Sequence, residues 1–168
     1  MAKNALIIID VQNFFITEDM HQLPRQIKEL IISKNFDHVI FCKFVNDPQS
    51  NFYKILDWKY CEESPDIDIH PEMLEFVNEN NVFEKSTFSA FKSELPVFLN
   101  KENINKLYLC GVDTDACILA SAFDAFDLGY DVEILIDYCQ SSNGDKANLE
   151  AFKIIRRNFV RAQNESFS

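Results

Sequence analysis

The sequence predicts an α/β chain, a three-layer αβα arrangement with a mostly parallel sheet of five to six strands and helices on both faces. Three observations predict it. Ala5-Leu6-Ile7-Ile8-Ile9 is apolar without interruption, the pattern of a strand covered on both faces. Strand-like and helix-like segments alternate along the chain, which favours parallel pairing through crossover helices. The length of 168 residues, 47% of them hydrophobic, suits one core and a single domain over residues 1–168.

Ala5 to Ile9 gives the first strand. Leu23, Ile27, Leu30 and Ile31 then fall at helical spacing, with Pro24 where a first turn tolerates it. His38 to Val45 reads as a second buried strand. Asn46 to Pro71 is irregular, with Pro48 and Pro65 as breakers and Trp58 available as a lid or a contact for a neighbouring subunit. A short helix follows, with Met73, Leu74, Phe76 and Val77 on its buried side. Val82 to Glu84 is a short third strand, Leu95 to Glu102 a brief helix and Leu107 to Val112 a fourth strand. A helix runs from about Thr114 to Leu128, where Gly129 stops it. Val132 to Ile136 is the fifth strand. The last helix spans roughly Asp145 to Asn158, with Leu149, Phe152, Ile155 and Phe159 along one stripe.

Charge narrows the partners. Sixteen basic against 27 acidic side chains leave a formal charge of −11, and no Lys/Arg run interrupts it. Such a surface repels phosphate backbones and anionic lipid, so neither nucleic acid nor a membrane is expected as a partner. The apolar stretch ending at Asp10 is too short for a signal-peptide core or a span. Cys42, Cys61, Cys110, Cys117 and Cys139 form an odd set without a C-x-x-C pair. Free, mostly buried thiols in a reducing cytoplasm account for them. Asp66, Asp68 and His70 make a D-x-D-x-H spacing, but a hard cation wants more oxygen ligands and zinc more nitrogen or sulfur. A solvated acidic loop is the preferred reading, with His70-Pro71 as the entry to the next helix.

In a parallel sheet, ligands bind beyond the carboxyl ends of the strands. Asp10 closes the first strand, Lys85 follows the third, and Cys117 lies in the first turn of the helix after the fourth. There a thiol feels the positive end of the helix dipole, and unpaired backbone N–H groups are available to a developing oxyanion. The alternatives are a small buried hydrophobe for Cys117, a solvated strand end for Asp10 and a surface lysine for Lys85. Brought together, the carboxylate is a general base and the ammonium a stabiliser of negative charge.

Four blocks then carry a family likeness. Asp10-Val11-Gln12-Asn13-Phe14-Phe15 matches a D-x-Q-x-x-F signature after an apolar strand, and Ile69-His70-Pro71-Glu72-Met73 an I-H-P-E-L stretch. Lys85-Ser86-Thr87-Phe88-Ser89-Ala90-Phe91 matches K-x-x-x-S-A-F, and Gly111-Val112-Asp113-Thr114-Asp115-Ala116-Cys117 a G-x-x-T-D-x-C turn. In these blocks and their order the chain resembles the isochorismatase-like cysteine hydrolases, which include nicotinamidases and carbamoylsarcosine-type and ureidoacrylate-type amidohydrolases. The resemblance implies a catalytic triad of Asp10, Lys85 and Cys117. It also implies an oxyanion hole from the backbone N–H groups of Asp113 and Cys117, a cis Val112–Asp113 peptide, and a homo-oligomer.

Two departures shape the expectation. Asp113 stands where many relatives carry a small residue, so its carboxylate must point away from the oxyanion. The metal-dependent branch carries a D-x-H pattern after its second strand, and Phe44 and Asn46 occupy those positions here. No catalytic metal and no cofactor are therefore expected. Vinyl-ether hydrolysis is disfavoured, because true isochorismatases usually lack the nucleophilic Cys. Phe15, Phe88 and Phe91 are candidates to line the pocket, with core packing as their alternative. The expected activity is cleavage of a C–N bond in a small amide, ureido or carbamoyl substrate through a thioester. A catalytically silent binding or assembly member of the same fold and a thiol redox sensor using Cys117, with Cys139, are the rivals.

Overall fold

The computed structural model describes residues 3–159. The outermost parts of the predicted domain, residues 1–2 and 160–168, lie outside the described residues. Five strands, β1 (Lys3–Ile9), β2 (His38–Phe44), β3 (Val82–Lys85), β4 (Ile104–Gly111) and β5 (Asp131–Cys139), form one sheet in the order β3-β2-β1-β4-β5. Every pairing is parallel. β1 sits at the centre, and Ala5 to Ile9 are all within 1% of complete burial, as an unbroken apolar run requires.

The helices are α1 (Leu23–Ser33), α2 (Asn51–Lys54), α3 (Leu95–Lys101), α4 (Leu119–Asp127) and α5 (Asp145–Phe159). The chain passes from β1 to β2 in one direction across the sheet and from β3 to β4 to β5 in the other. Right-handed crossovers then place α1 on one face and α3 and α4 on the opposite one. Chain direction reverses between β1 and β4, so the crevice beyond their carboxyl ends is the topological switch point. Among the described residues no helix is long and apolar enough to cross a membrane.

Three local expectations need correction. The segment with Met73 is a 3-10 turn, Pro71–Phe76, not an α-helix. Its period of three brings Met73 and Phe76 inward and leaves Leu74 54% exposed. The helix predicted from Thr114 begins instead as one π-turn, Thr114–Ile118, before α4 continues it. Leu149 is exposed because it lies about 120° around α5 from the buried Ile155. The irregular region also contains α2, whose N-cap Ser50 accepts a hydrogen bond from the Tyr53 N–H.

Gly111, the last residue of β4, has φ +118° and lies against the backbone of Ile9 in β1. A Cβ there would be driven into the Ile9 carbonyl. Gly111→Ala is therefore expected to lower unfolding free energy by about 3 kcal/mol or more, measurable by urea denaturation. The close approach draws the turn that follows β4 toward the end of β1.

Candidate active site

Each candidate side chain is delivered by a strand end. Asp10 follows β1 with φ +53°, a left-handed conformation that Asp tolerates better than most residues. Its N–H donates to the Cys42 carbonyl and its own carbonyl accepts from the Gln12 N–H, which fixes the reversal. Lys85 ends β3. Cys117 lies in the π-turn after β4. The Lys85 Nζ donates to Asp10 Oδ2 at 2.8 Å, to the Thr87 carbonyl at 3.0 Å and to Cys117 Sγ at 3.6 Å. The Asp10 and Lys85 side chains are 1% and 0% exposed, and Cys117 is 9% exposed. Three residues distant in sequence thus form one buried cluster. Asp10 Oδ1 has no hydrogen-bond partner among the described residues.

The electrostatics follow from burial and mutual charge. Desolvation raises the Asp10 carboxyl above its ordinary range, against the pull of the Lys85 charge. Burial opposes the Lys85 cation, but Asp10 and Cys117 outweigh it and the ammonium titrates above its usual value. Burial and then the Asp10 charge hold the Cys117 thiol well above a free thiol, with Lys85 pulling the other way. The resting sulfur is therefore a thiol beside an acceptor and a cation, rather than the thiolate that the helix dipole alone suggests.

The turn between β4 and α4 carries the expected cis Val112–Asp113 bond. The Asp113 N–H has no acceptor among the described residues. The Asp113 carbonyl receives the N–H groups of Ala116 and Ile118, both at 3.1 Å, passing over Cys117. The Asp113 carboxylate is held by Ser142, whose N–H donates at 2.7 Å and whose hydroxyl donates at 2.8 Å. Burial raises its pKa, and the Ser142 donors oppose that rise. Asp115 is tied to the same loop by Ser141 and Asn143. Nothing in the sequence pointed to Ser142, a loop serine 29 residues from its partner.

The aromatic candidates separate. Phe15 is half-buried with its ring edge-on to Phe44, and Phe88 is 46% exposed and tilted on Phe52. Phe91 is instead a core residue, 5% exposed with its ring on Tyr130, so packing replaces the pocket role expected of it. Trp58 joins Phe14, Phe44, Phe52 and Tyr60 in an aromatic cluster at the end of β2.

The residues at the positions of the metal-dependent branch do not fit a cation. Phe44 offers no donor atom. Asn46 Oδ1 already accepts from the Asp47 N–H and the Ser50 hydroxyl, while its Nδ2 donates to the Trp58 and Tyr60 carbonyls. His70 Nδ1 caps the following turn by accepting the Glu72 N–H. In the D-x-D-x-H stretch, Asp68 accepts the Ser64 hydroxyl, and the Asp66 and Asp68 carbonyls accept the Phe14 and Asn13 N–H groups. That stretch docks the segment after β1.

The isochorismatase domain profile matches residues 4–164. The chain belongs to the isochorismatase family. A curated member from Bacillus subtilis (strain 168), the isochorismatase family protein PncA, is 29% identical over 155 residues, 79% of this chain and 83% of that protein. Other curated members align over shorter segments, such as 29% of the isochorismatase domain-containing protein 2 of Xenopus laevis. The crystal structure of nicotinamidase PncA from Bacillus subtilis superposes with a TM-score of 0.79 at 24% identity, covering 94% of this chain and 96% of that one. N-carbamoylsarcosine amidase from Thermoplasma acidophilum superposes with a TM-score of 0.77 at 19% identity, covering 94% and 92%. At these identities the structures establish the shared fold of this isochorismatase-family hydrolase.

Proposed function

We propose that this isochorismatase-family hydrolase cleaves the C–N bond of a small amide, ureido or carbamoyl compound through a thioester on Cys117. One observation carries the reading: a single buried ammonium bridges the Asp10 carboxylate and the Cys117 sulfur. The relatives named for nicotinamide and for N-carbamoylsarcosine act on carbonyl–nitrogen bonds of this kind, which supports the substrate class.

Asp10 takes the thiol proton as Cys117 Sγ bonds to the substrate carbonyl carbon. A carboxylate whose pKa burial has raised is a better base for that proton than an ordinary one. Lys85 offsets the negative charge that moves between sulfur and carboxylate. The oxyanion develops toward the Asp113 and Cys117 N–H groups, each worth on the order of 3 kcal/mol to such an intermediate. Asp10 returns its proton to the nitrogen as the C–N bond breaks, releasing ammonia or an amine. Water then gives a proton to Asp10, attacks the thioester, and the sulfur leaves to recover the thiol. The balance is one amide and one water converted to an acid and an amine.

Two observations weigh against the rivals. An Asp at position 113 favoured a silent member of the fold, but Ser142 holds that carboxylate through both oxygens. A sensor needs a thiol that ionises readily, and burial pushes Cys117 the other way, while Cys139 is pushed up to about 12. The test is a panel of small amides, ureido acids and carbamoyl compounds scored for ammonia release. An acyl adduct on the Cys117 peptide by mass spectrometry is expected for the active compound. Turnover with no adduct at Cys117 under quenched conditions, and full activity of the alkylated protein, would remove the thioester route.

Ser142→Ala deletes one of the two bonds on the Asp113 carboxylate and frees that charge to move toward the oxyanion. About a tenfold fall in kcat with little change in KM is expected in steady-state kinetics, because the lost arrangement matters once negative charge develops.

A further inference from the structure

Lys85 is buried with its charge. Asp10, Thr87 and Cys117 occupy its three N–H directions. The ring of Phe44 lies beneath it, 5.1 Å from Nζ to the ring centroid. An aromatic face carries negative electrostatic potential and attracts a desolvated cation at this range. Phe44 is itself held in place from two directions. Gln12 clamps its main chain, Oε1 accepting the Phe44 N–H at 2.7 Å and Nε2 donating to the Phe44 carbonyl at 2.8 Å. Phe15, Phe52 and Trp58 pack on the ring at steep angles, with centroids 5.0 to 6.1 Å away.

We infer that Phe44 is a positioning residue: its ring face is the platform that keeps the Lys85 ammonium charged and aimed between Asp10 and Cys117. The inference rests on the proposed thioester chemistry for its consequence, though not for its geometry. Where a donor side chain would hold a metal beside these groups, this chain places a π face, and the positive charge of the site resides on its own lysine. The charged and titratable groups that face the cluster are Asp10 from the end of β1, Cys42 from β2, Cys61 from the loop after β2, and Cys117 and Asp113 from the turn after β4. Of these, Cys42 and Cys61 are held as neutral thiols by burial, so the balance lies among Lys85, Asp10, Cys117 and Asp113.

Loss of the ring face weakens the cation, so Asp10 and Cys117 both hold their protons to higher pH. The experiment follows two pH midpoints in Phe44→Leu, Phe44→Tyr and Phe36→Leu. One is the midpoint of Cys117 alkylation by iodoacetamide, read on its own peptide by mass spectrometry. The other is the acid limb of kcat/KM. Phe44→Leu is expected to move both upward by about one pH unit and to slow alkylation at neutral pH about tenfold. Phe44→Tyr keeps a π face and is expected to retain the midpoints. Phe36→Leu removes a ring that packs on Tyr108 just before β2 begins, at the far end of that strand from Phe44, and is expected to retain them too. Unmoved midpoints in Phe44→Leu, or an equal shift in Phe36→Leu, would overturn the inference. Should Phe44→Leu fail to fold, site-specific fluorinated phenylalanines at position 44 preserve the shape and weaken the face in steps. A graded upward shift then supports the platform, and none overturns it. Alkylation needs no turnover, so a failed search for substrate leaves this result standing, whereas a missing acyl adduct removes only the thioester reading.

Discussion

Cys117→Ala is expected to reduce turnover of the cognate substrate by roughly 10⁴-fold or more, the scale on which loss of a nucleophile in a coupled catalytic group is felt. In the proposed thioester route the effect falls on kcat, because there the sulfur forms its bond only after the substrate is bound. Folding should survive. Cys117 is one small side chain at the edge of the core, and the Lys85–Asp10 pair that it leaves behind still has its own 2.8 Å contact and the Thr87 carbonyl. Unfolding free energy within about 1–2 kcal/mol of the parent chain, by urea denaturation, separates a chemical defect from a structural one. Cys117→Ser should be nearly as inactive, since a hydroxyl holds its proton more firmly than a thiol and Asp10 is a weak base for it. Wild-type turnover by Cys117→Ala would remove the nucleophile from the mechanism.

What was legible in the sequence has a physical pattern. Parallel strands of a covered sheet read as apolar runs, so β1 and β2 were visible, and their polar ends stood out against the hydrocarbon. Asp10 and Lys85 became candidates because each breaks or follows such a run. The topology then requires the carboxyl ends to share one rim, which brings Cys117 to them. Contacts made by loops were not legible. The hold of Ser142 on Asp113 and the ring of Phe44 under Lys85 depend on where turns place side chains after the strands have paired. Phe44 drew notice only as a residue unable to bind metal, since a single letter carries no ring orientation. Phe91 misled for the opposite reason. It follows a rim residue closely in sequence, but the chain has by then turned down against α4, where the Ala90 N–H donates to Ser121.

Lys85→Met should be the most damaging change to stability at the site and should abolish most activity. Methionine matches the aliphatic length of lysine but leaves the Asp10 carboxylate buried without a cation. Breaking a buried pair in this way costs about 3–5 kcal/mol when the remaining group stays charged. The pH dependence gives the cause away. In the parent chain Asp10 already titrates above its ordinary value through burial, with Lys85 restraining the rise. Without Lys85 the folded-state pKa climbs further, while the unfolded value stays near the ordinary 3.8 of an aspartate. A carboxyl raised on folding favours the native state below the unfolded pKa, and that contribution disappears as pH rises through the folded pKa. The stability gap between Lys85→Met and the parent should therefore be wide at pH 7.5 and narrow toward pH 5 as Asp10 takes up a proton. In the proposed route lowering the pH cannot restore activity, because a protonated Asp10 is no longer a base for Cys117. Urea denaturation at the two pH values, set beside turnover at both, reads the two effects separately. A gap that stays constant with pH would mean that packing, not the buried charge, accounts for the loss.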